Sequence, residues 1–136
     1  MWDESYKKSE MYINTDTYYM KHTYQAALAA VKTVLLATQT IIDKVYRYGY
    51  AVIRPPGHHS GLKTQPHGFS FFNNVAIAAE YALKTQIFKR VAIIDWDAHH
   101  GEGTQNLFYK RKDVLYISLH RFDNGKFFPH IPQSSC

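Results

Sequence analysis

Three short apolar runs govern what this chain can fold into: Tyr50-Ala51-Val52-Ile53, Val91-Ala92-Ile93-Ile94-Asp95 and Val114-Leu115-Tyr116-Ile117-Ser118-Leu119. Runs that stay apolar at successive positions, instead of alternating, belong to strands buried on both faces, as in parallel sheets. Stretches of helical period surround them. From Tyr24 to Arg47 apolar residues recur at i, i+3 and i+4, with Thr23 as the predicted N-cap and Gly49 as the stop signal. Asn74 to Lys84 carries a small-residue helical pattern, and a short helix fits near Thr104–Phe108. Residues 1–23 show no clear periodicity and read as an extended lead-in. Alternating strands and helices predict an α/β fold with a parallel central sheet, flanked by helices and covered on both faces.

A length of 136 residues suits about one domain, and 46% hydrophobic content excludes a disordered or low-complexity chain. No apolar run approaches the roughly 18–20 residues that span a bilayer, and Met1–Glu4 lacks the features of a signal peptide. No membrane association is therefore expected. Cys136 is the single cysteine, so no intrachain disulfide forms and the expected setting is reducing and intracellular, nucleus and/or cytoplasm. The net charge of +5 comes from scattered lysines and arginines without a basic stripe interleaved with aromatics. That pattern reads as a solvated surface, with no direct nucleic-acid binding expected.

In open α/β sheets ligands bind beyond the carboxyl ends of the strands. Each apolar run here ends in residues of a catalytic kind. The first leads into Arg54-Pro55-Pro56-Gly57-His58-His59, the second into Asp95-Trp96-Asp97-Ala98-His99-His100-Gly101, and the third into Ser118-Leu119-His120. Six of the eight histidines (58, 59, 67, 99, 100 and 120) fall at or after such ends. Spacing of i, i+2, i+4 puts Asp95, Asp97 and His99 on one side of an extended chain. Carboxylate and imidazole together suit Zn²⁺, and a catalytic site takes three protein ligands while leaving one position open. Asp97 and His99 supply two, leaving Asp95 to orient a neighbour; the alternative is that Asp95 caps the next helix and His99 packs in the core. His58 and His59 suit a general base and a general acid if unlike partners separate their pKa values, Asp95 being one candidate. Read alone, the pair is equally two loop histidines.

Four blocks carry a resemblance: Arg54–His59, Gly68-Phe69-Ser70-Phe71-Phe72-Asn73-Asn74-Val75-Ala76, Ile94–Gln105 and Leu115–Asp123. In this order and spacing they closely resemble the zinc-dependent histone deacetylases, class II, most like the tubulin-deacetylase-like class IIb branch. The resemblance extends from about Met11 to Pro129 and is strongest over 48–129. It implies an arginase/deacetylase-like domain, of which residues 1–136 form a part, and hydrolysis of N-ε-acetyl-lysine on histones or non-histone proteins such as tubulin.

By that resemblance Asp97 and His99 are two of three zinc ligands. His58 and His59 flank the attacking water, His59 as the main base and acid, with Asp95 hydrogen-bonding His58. The Gly68 carbonyl receives the substrate amide, and Phe69 and Phe128 wall the acetyl-lysine channel. Asp95, Asp97, His99, Leu119 and Ser118 match the inner monovalent-cation (K⁺) site. Two positions depart from the pattern. Glu102 stands where the family often has Asp or Asn and is expected to disturb the partner of His59; Ala98 replaces a larger aliphatic residue. The third zinc-ligand Asp and the transition-state Tyr match no residue of this sequence, so the chain is expected to be a partial domain with little activity alone. Other readings are a non-catalytic interaction module, an acetylpolyamine amidohydrolase and, less well matched because His99 is followed by His100-Gly101, an arginase-like dimanganese enzyme.

Overall fold

The structure is a computed structural model that describes residues 11–62 and 65–130. The readings that touch residues 1–10 and 131–136, Cys136 among them, lie outside the described residues. Residues 11–23 are more than an extended lead-in. Strands β1 (Met11–Tyr12) and β2 (Tyr18–Tyr19) pair antiparallel, Met11 opposite Tyr19 and Tyr12 opposite Tyr18. The connecting turn is side-chain made: Asn14 Oδ1 accepts the Thr17 N–H at 2.9 Å, the usual device of an Asn turn.

Helix α1 spans Thr23–Ile42, so it starts one residue before, and ends five residues before, the predicted range. Thr23 is its first residue and not its N-cap; its Oγ1 accepts the Met20 N–H at 2.8 Å, while His22 caps without a side-chain bond. At the other end the chain turns left-handed at Lys44 (φ 57°), well before Gly49. Twenty residues of mean hydropathy 1.4 make α1 long and apolar enough to cross a membrane by length and composition, contrary to the expectation that no segment approaches that length. In the fold its small residues serve a different end: Ala27 and Ala30 are buried and α1 packs on α2.

Helix α2 covers Asn74–Lys84, β3 Val91–Asp95, α3 Glu102–Phe108 and β4 Val114–Ser118. Strands β3 and β4 pair in parallel with Asp95 opposite Ser118, and α3 makes the crossover. The core gathers Ala76 and Ala79 of α2, Ile93, Phe108 and Val114. This covers one face of the strand pair only. Ile94, Leu115 and Ile117 on the opposite face are exposed, so the expected two-sided cover is absent among the described residues. Nor does Tyr50–Ile53 form a strand: Tyr50 is 91% and Val52 83% exposed. An apolar run becomes a strand only when a neighbour offers a ladder edge, and none of the described strands pairs with it.

Two helix N-termini clamp the loop that follows. Asn73 caps α2, its Oδ1 accepting the Ala76 N–H at 3.1 Å. Its Nδ2 donates to the Ser60 carbonyl (2.9 Å) and to Thr104 Oγ1 (3.0 Å). From α3 the Thr104 N–H donates to the His58 carbonyl at 3.0 Å. Asn73 and Thr104 are both buried, Thr104 completely. Loss of a cap costs about 0.5–2 kcal/mol, and each stranded buried partner adds about 1–3. We therefore predict that Asn73→Ala destabilises the fold by about 2–4 kcal/mol in chemical denaturation, whereas a surface change such as Lys32→Ala stays within about 0.5 kcal/mol.

Candidate active site

The clamped loop delivers two imidazoles side by side, with His58 and His59 ring centroids 4.0 Å apart. Each has a carboxylate at Nδ1. His58 Nδ1 lies 2.8 Å from Asp95 Oδ2, and His59 Nδ1 lies 2.7 Å from Glu102 Oε2. Because an ionised carboxylate only accepts, each ring carries a proton on the Nδ1 that faces its carboxylate. The two partners are both carboxylates. What differs is burial: the His59–Glu102 side chains are 3% and 8% exposed, against 15% and 13% for His58–Asp95.

Burial alone would lower the His58 pKa; the hydrogen bond and charge of Asp95 outweigh it and the net shift is upward. Burial likewise pushes Asp95 up, but His58, the Asp97 N–H and the Tyr116 hydroxyl hold it below the usual carboxylate value. Tyr116 donates to Asp95 Oδ2 at 2.9 Å and lies 3.1 Å from the Gly101 carbonyl. Burial and the Asp95 charge raise its phenol, which keeps it a neutral donor. Gly101 is where these groups meet: a Cβ there would stand 2.5 Å from both Asp95 Oδ2 and the Tyr116 hydroxyl.

Strand β3 stops at Asp95, whose carboxylate swings to His58, while Asp97 and His99 pair with each other. Asp97 Oδ1 accepts the His99 N–H at 2.7 Å and stands 2.9 Å from His99 Nδ1, both side chains about half exposed. The His99 ring stacks on Phe127 at 4.9 Å and 9°, with the Arg121 guanidinium also 4.8 Å from the Phe127 ring. Register puts Ser118 opposite Asp95; the Leu119 N–H donates to the Asp95 carbonyl at 2.8 Å, and Ser118 Oγ contacts His120 Nδ1 at 2.7 Å. No group of three or more His, Cys, Asp or Glu side chains is gathered for a metal among the described residues.

Phe128 stands edge-on to His59 at 5.0 Å and to His99 at 5.9 Å, so it closes over the histidine cluster. Phe69 is half exposed, at φ 63°, with its N–H held by Thr17 Oγ1 at 3.0 Å. No ring contact joins the two among the described residues. Gly68, at φ +53°, lies so close to His59 that a Cβ would fall 2.2 Å from the ring. Its carbonyl is 3.4 Å from Ser70 Oγ.

Residues 1–135 match the family model described as the histone deacetylase domain. The chain belongs to the histone deacetylase family. Among its class II relatives, it is 42% identical over 119 residues to the polyamine deacetylase HDAC10 of Danio rerio, covering 88% of this chain and 18% of that protein. Over 129 residues it is 42% identical to histone deacetylase 6 of Caenorhabditis elegans, covering 93% of this chain and 13% of the relative. The solved HDA15 HD domain superposes with a TM-score of 0.85 at 40% identity, covering 95% of this chain and 37% of that one. The chain thus spans less than a fifth of these two curated relatives and carries part of the arginase/deacetylase-like α/β domain.

Within that deacetylase frame, the fold adds Tyr116, Asn14, Asp16 and Thr17 to the site residues named from the sequence. Glu102 reaches His59 despite its extra methylene, so the expected disturbance of that partner is not seen. Tyr116 looked like one more strand residue. Asn14, Asp16 and Thr17 fasten the Gly68–Phe69 turn, through Asn14 Nδ2 to the Pro66 carbonyl (2.8 Å) and the Gly68 N–H to Asp16 Oδ1 (3.3 Å). Their run of short polar side chains is a turn signature, and it was the available signal.

The His58–Asp95 pair has a defined pH window. A raised His58 contributes stability in full below the ordinary histidine value and loses it as pH climbs through the raised one; a lowered Asp95 contributes above the ordinary carboxylate value and loses it as pH falls. With Asp95→Asn the largest upward contribution is lost, and burial is opposed only by the Asp97 and Glu102 charges. We predict that in a histidine NMR titration of the metal-free chain His58 titrates lower in this variant than in the wild type. An unchanged titration contradicts the assignment.

Proposed function

We propose that this chain carries the base-and-entry half of a zinc-dependent amide hydrolase that removes acetyl groups from the N-ε atom of protein lysine. The observation that carries the reading is the pair of Nδ1-anchored imidazoles, His58 on Asp95 and His59 on Glu102, lying beside the Asp97–His99 pair. The donor chemistry fits zinc: one carboxylate oxygen and one imidazole nitrogen stand 2.9 Å apart on partly exposed side chains, two of the three ligands a catalytic site needs. Zinc, when bound, polarises the acetyl carbonyl and acidifies the attacking water, worth on the order of 12 kcal/mol of nucleophile activation.

The remaining work falls to this chain's own groups. His59, held as the Nδ1–H tautomer by Glu102, offers its Nε2 lone pair to take the water proton and returns it to the leaving lysine amine. His58, kept readily protonated by Asp95, supplies positive charge beside it. Phe128 and Phe69 flank the thin apolar stem of the substrate lysine, and the Gly68 carbonyl accepts its amide N–H. Backbone carbonyls near Asp95, Asp97, His99 and Leu119, with Ser118 Oγ, are proposed to hold K⁺. The third carboxylate ligand and the tyrosine donor implied by the family match no residue here. Loss of one such donor alone costs roughly 2.7–4 kcal/mol, so this stretch by itself is weakly active.

The relatives named polyamine deacetylase favour a second reading, in which the same amide chemistry acts on an acetylated polyamine. The test is zinc titration of the 136-residue chain. One chelator-sensitive zinc per chain is expected, lost in both Asp97→Ala and His99→Ala. Zinc uptake indifferent to both substitutions contradicts the site. Turnover of an acetyl-lysine peptide at the level of a full-length deacetylase contradicts the reading as a partial domain, and preference for an acetylated polyamine selects the second reading.

A further inference from the structure

The Glu102 carboxylate has two oxygens, and only one is used by His59. The other, Oε1, is buried and has no hydrogen-bond partner of regular geometry among the described residues. One side chain reaches it: His67 Nε2 stands 2.6 Å away. The same Nε2 lies 3.0 Å from the His59 carbonyl oxygen. Both neighbours are acceptors only, so Nε2 carries a proton; it makes a regular hydrogen bond to the His59 carbonyl and a close polar contact with the Glu102 carboxylate oxygen beside it. His67 therefore touches His59 twice, through its backbone and through its carboxylate partner, with the two rings 5.6 Å apart.

This contact is built and not incidental. His67 is fixed by an isolated bridge to Ser70, whose N–H donates to the His67 carbonyl at 2.9 Å, and Ser70 is fully buried. Exposure climbs along the chain of groups, from His59 at 3% through Glu102 at 8% to His67 at 30%. A lone imidazole–carboxylate pair leaves the carboxylate free to rotate and exchange oxygens. A second donor at the far oxygen stops that rotation, and a fixed acceptor fixes the ring that donates to it.

We propose that His67 is a positioning residue that locks Glu102 and, through it, holds the His59 imidazole in the Nδ1–H tautomer, making a three-membered His59–Glu102–His67 array. Its catalytic meaning rests on the reading of His59 as the base given above, but its structural content does not. Ring-nitrogen NMR of the full 136-residue chain reads the tautomer directly, without substrate or metal. The wild-type chain is expected to show His59 Nδ1 protonated. In His67→Ala the His59 nitrogens shift toward the average of two tautomers, and His67→Gln, whose amide N–H still reaches the carboxylate, restores the wild-type signal.

If His67→Ala does not fold, His67→Asn decides the matter, because its shorter amide falls short of Glu102 and is expected to give the same shift. A His59 tautomer unmoved in a folded Ala or Asn variant overturns the proposal. An equal shift in the Gln variant does so too, because donation to the carboxylate is then not what matters. Failure of the zinc or turnover tests leaves this NMR outcome untouched, so the two readings fail separately.

Discussion

The polar clamp between Asn73 and Thr104 is the constraint on which the rest of the site depends. A loop of Pro55, Pro56 and Gly57 cannot build a ladder of its own, yet its buried carbonyls must be satisfied. They are met from two directions: Asn74 Nδ2 donates to the Pro55 carbonyl and Asn73 Nδ2 to that of Ser60, while the Thr104 N–H takes that of His58. Glycine is required where the backbones close up. A Cβ at Gly57 would stand 2.5 Å from the Phe72 carbonyl oxygen, and one at Gly103 would stand 2.5 Å from the His59 carbonyl carbon. Two conspicuous sequence blocks, Phe71–Asn74 and Gly101–Gln105, thus act mainly as the vice that holds a third.

From that vice follows the chemistry. With the backbone of His58 and His59 fixed, each Nδ1 meets one carboxylate, and the histidines differ by burial more than by partner. The more exposed pair is also shared with Tyr116 and borders the Asp97–His99 turn. The more buried pair extends through Glu102 to His67. One extra methylene at position 102, which on paper threatens the pairing with His59, gives a carboxylate that meets two rings.

Legibility from sequence followed how local each cause was. Helix α2 is legible because its small-residue period lies within the segment, and β3 and β4 because their continuous apolar runs do. Tyr50–Ile53 failed because an apolar run cannot report whether a partner strand exists. The β1–β2 hairpin failed because two-residue strands carry no period, and the end of α1 failed because Lys44, not a glycine, takes the left-handed turn. Within the site, the types of Asp95, Asp97, His58, His59 and His99 were plain. Their pairings were not, since the swing of Asp95 to His58 and the reach of Glu102 to His67 join residues brought together only by the fold. The aromatic stack of Phe127 on His99 belongs to the same non-local class.

Amide hydrogen exchange at Thr104 tests the central claim most directly, because its N–H donates to the His58 carbonyl from the base of the vice. If the clamp is part of the core, that amide exchanges only through global opening, with the same protection as Ala79 in the middle of α2. Exchange of Thr104 by a local opening, far faster than Ala79, would show that the histidine loop moves independently of the core and would contradict the account.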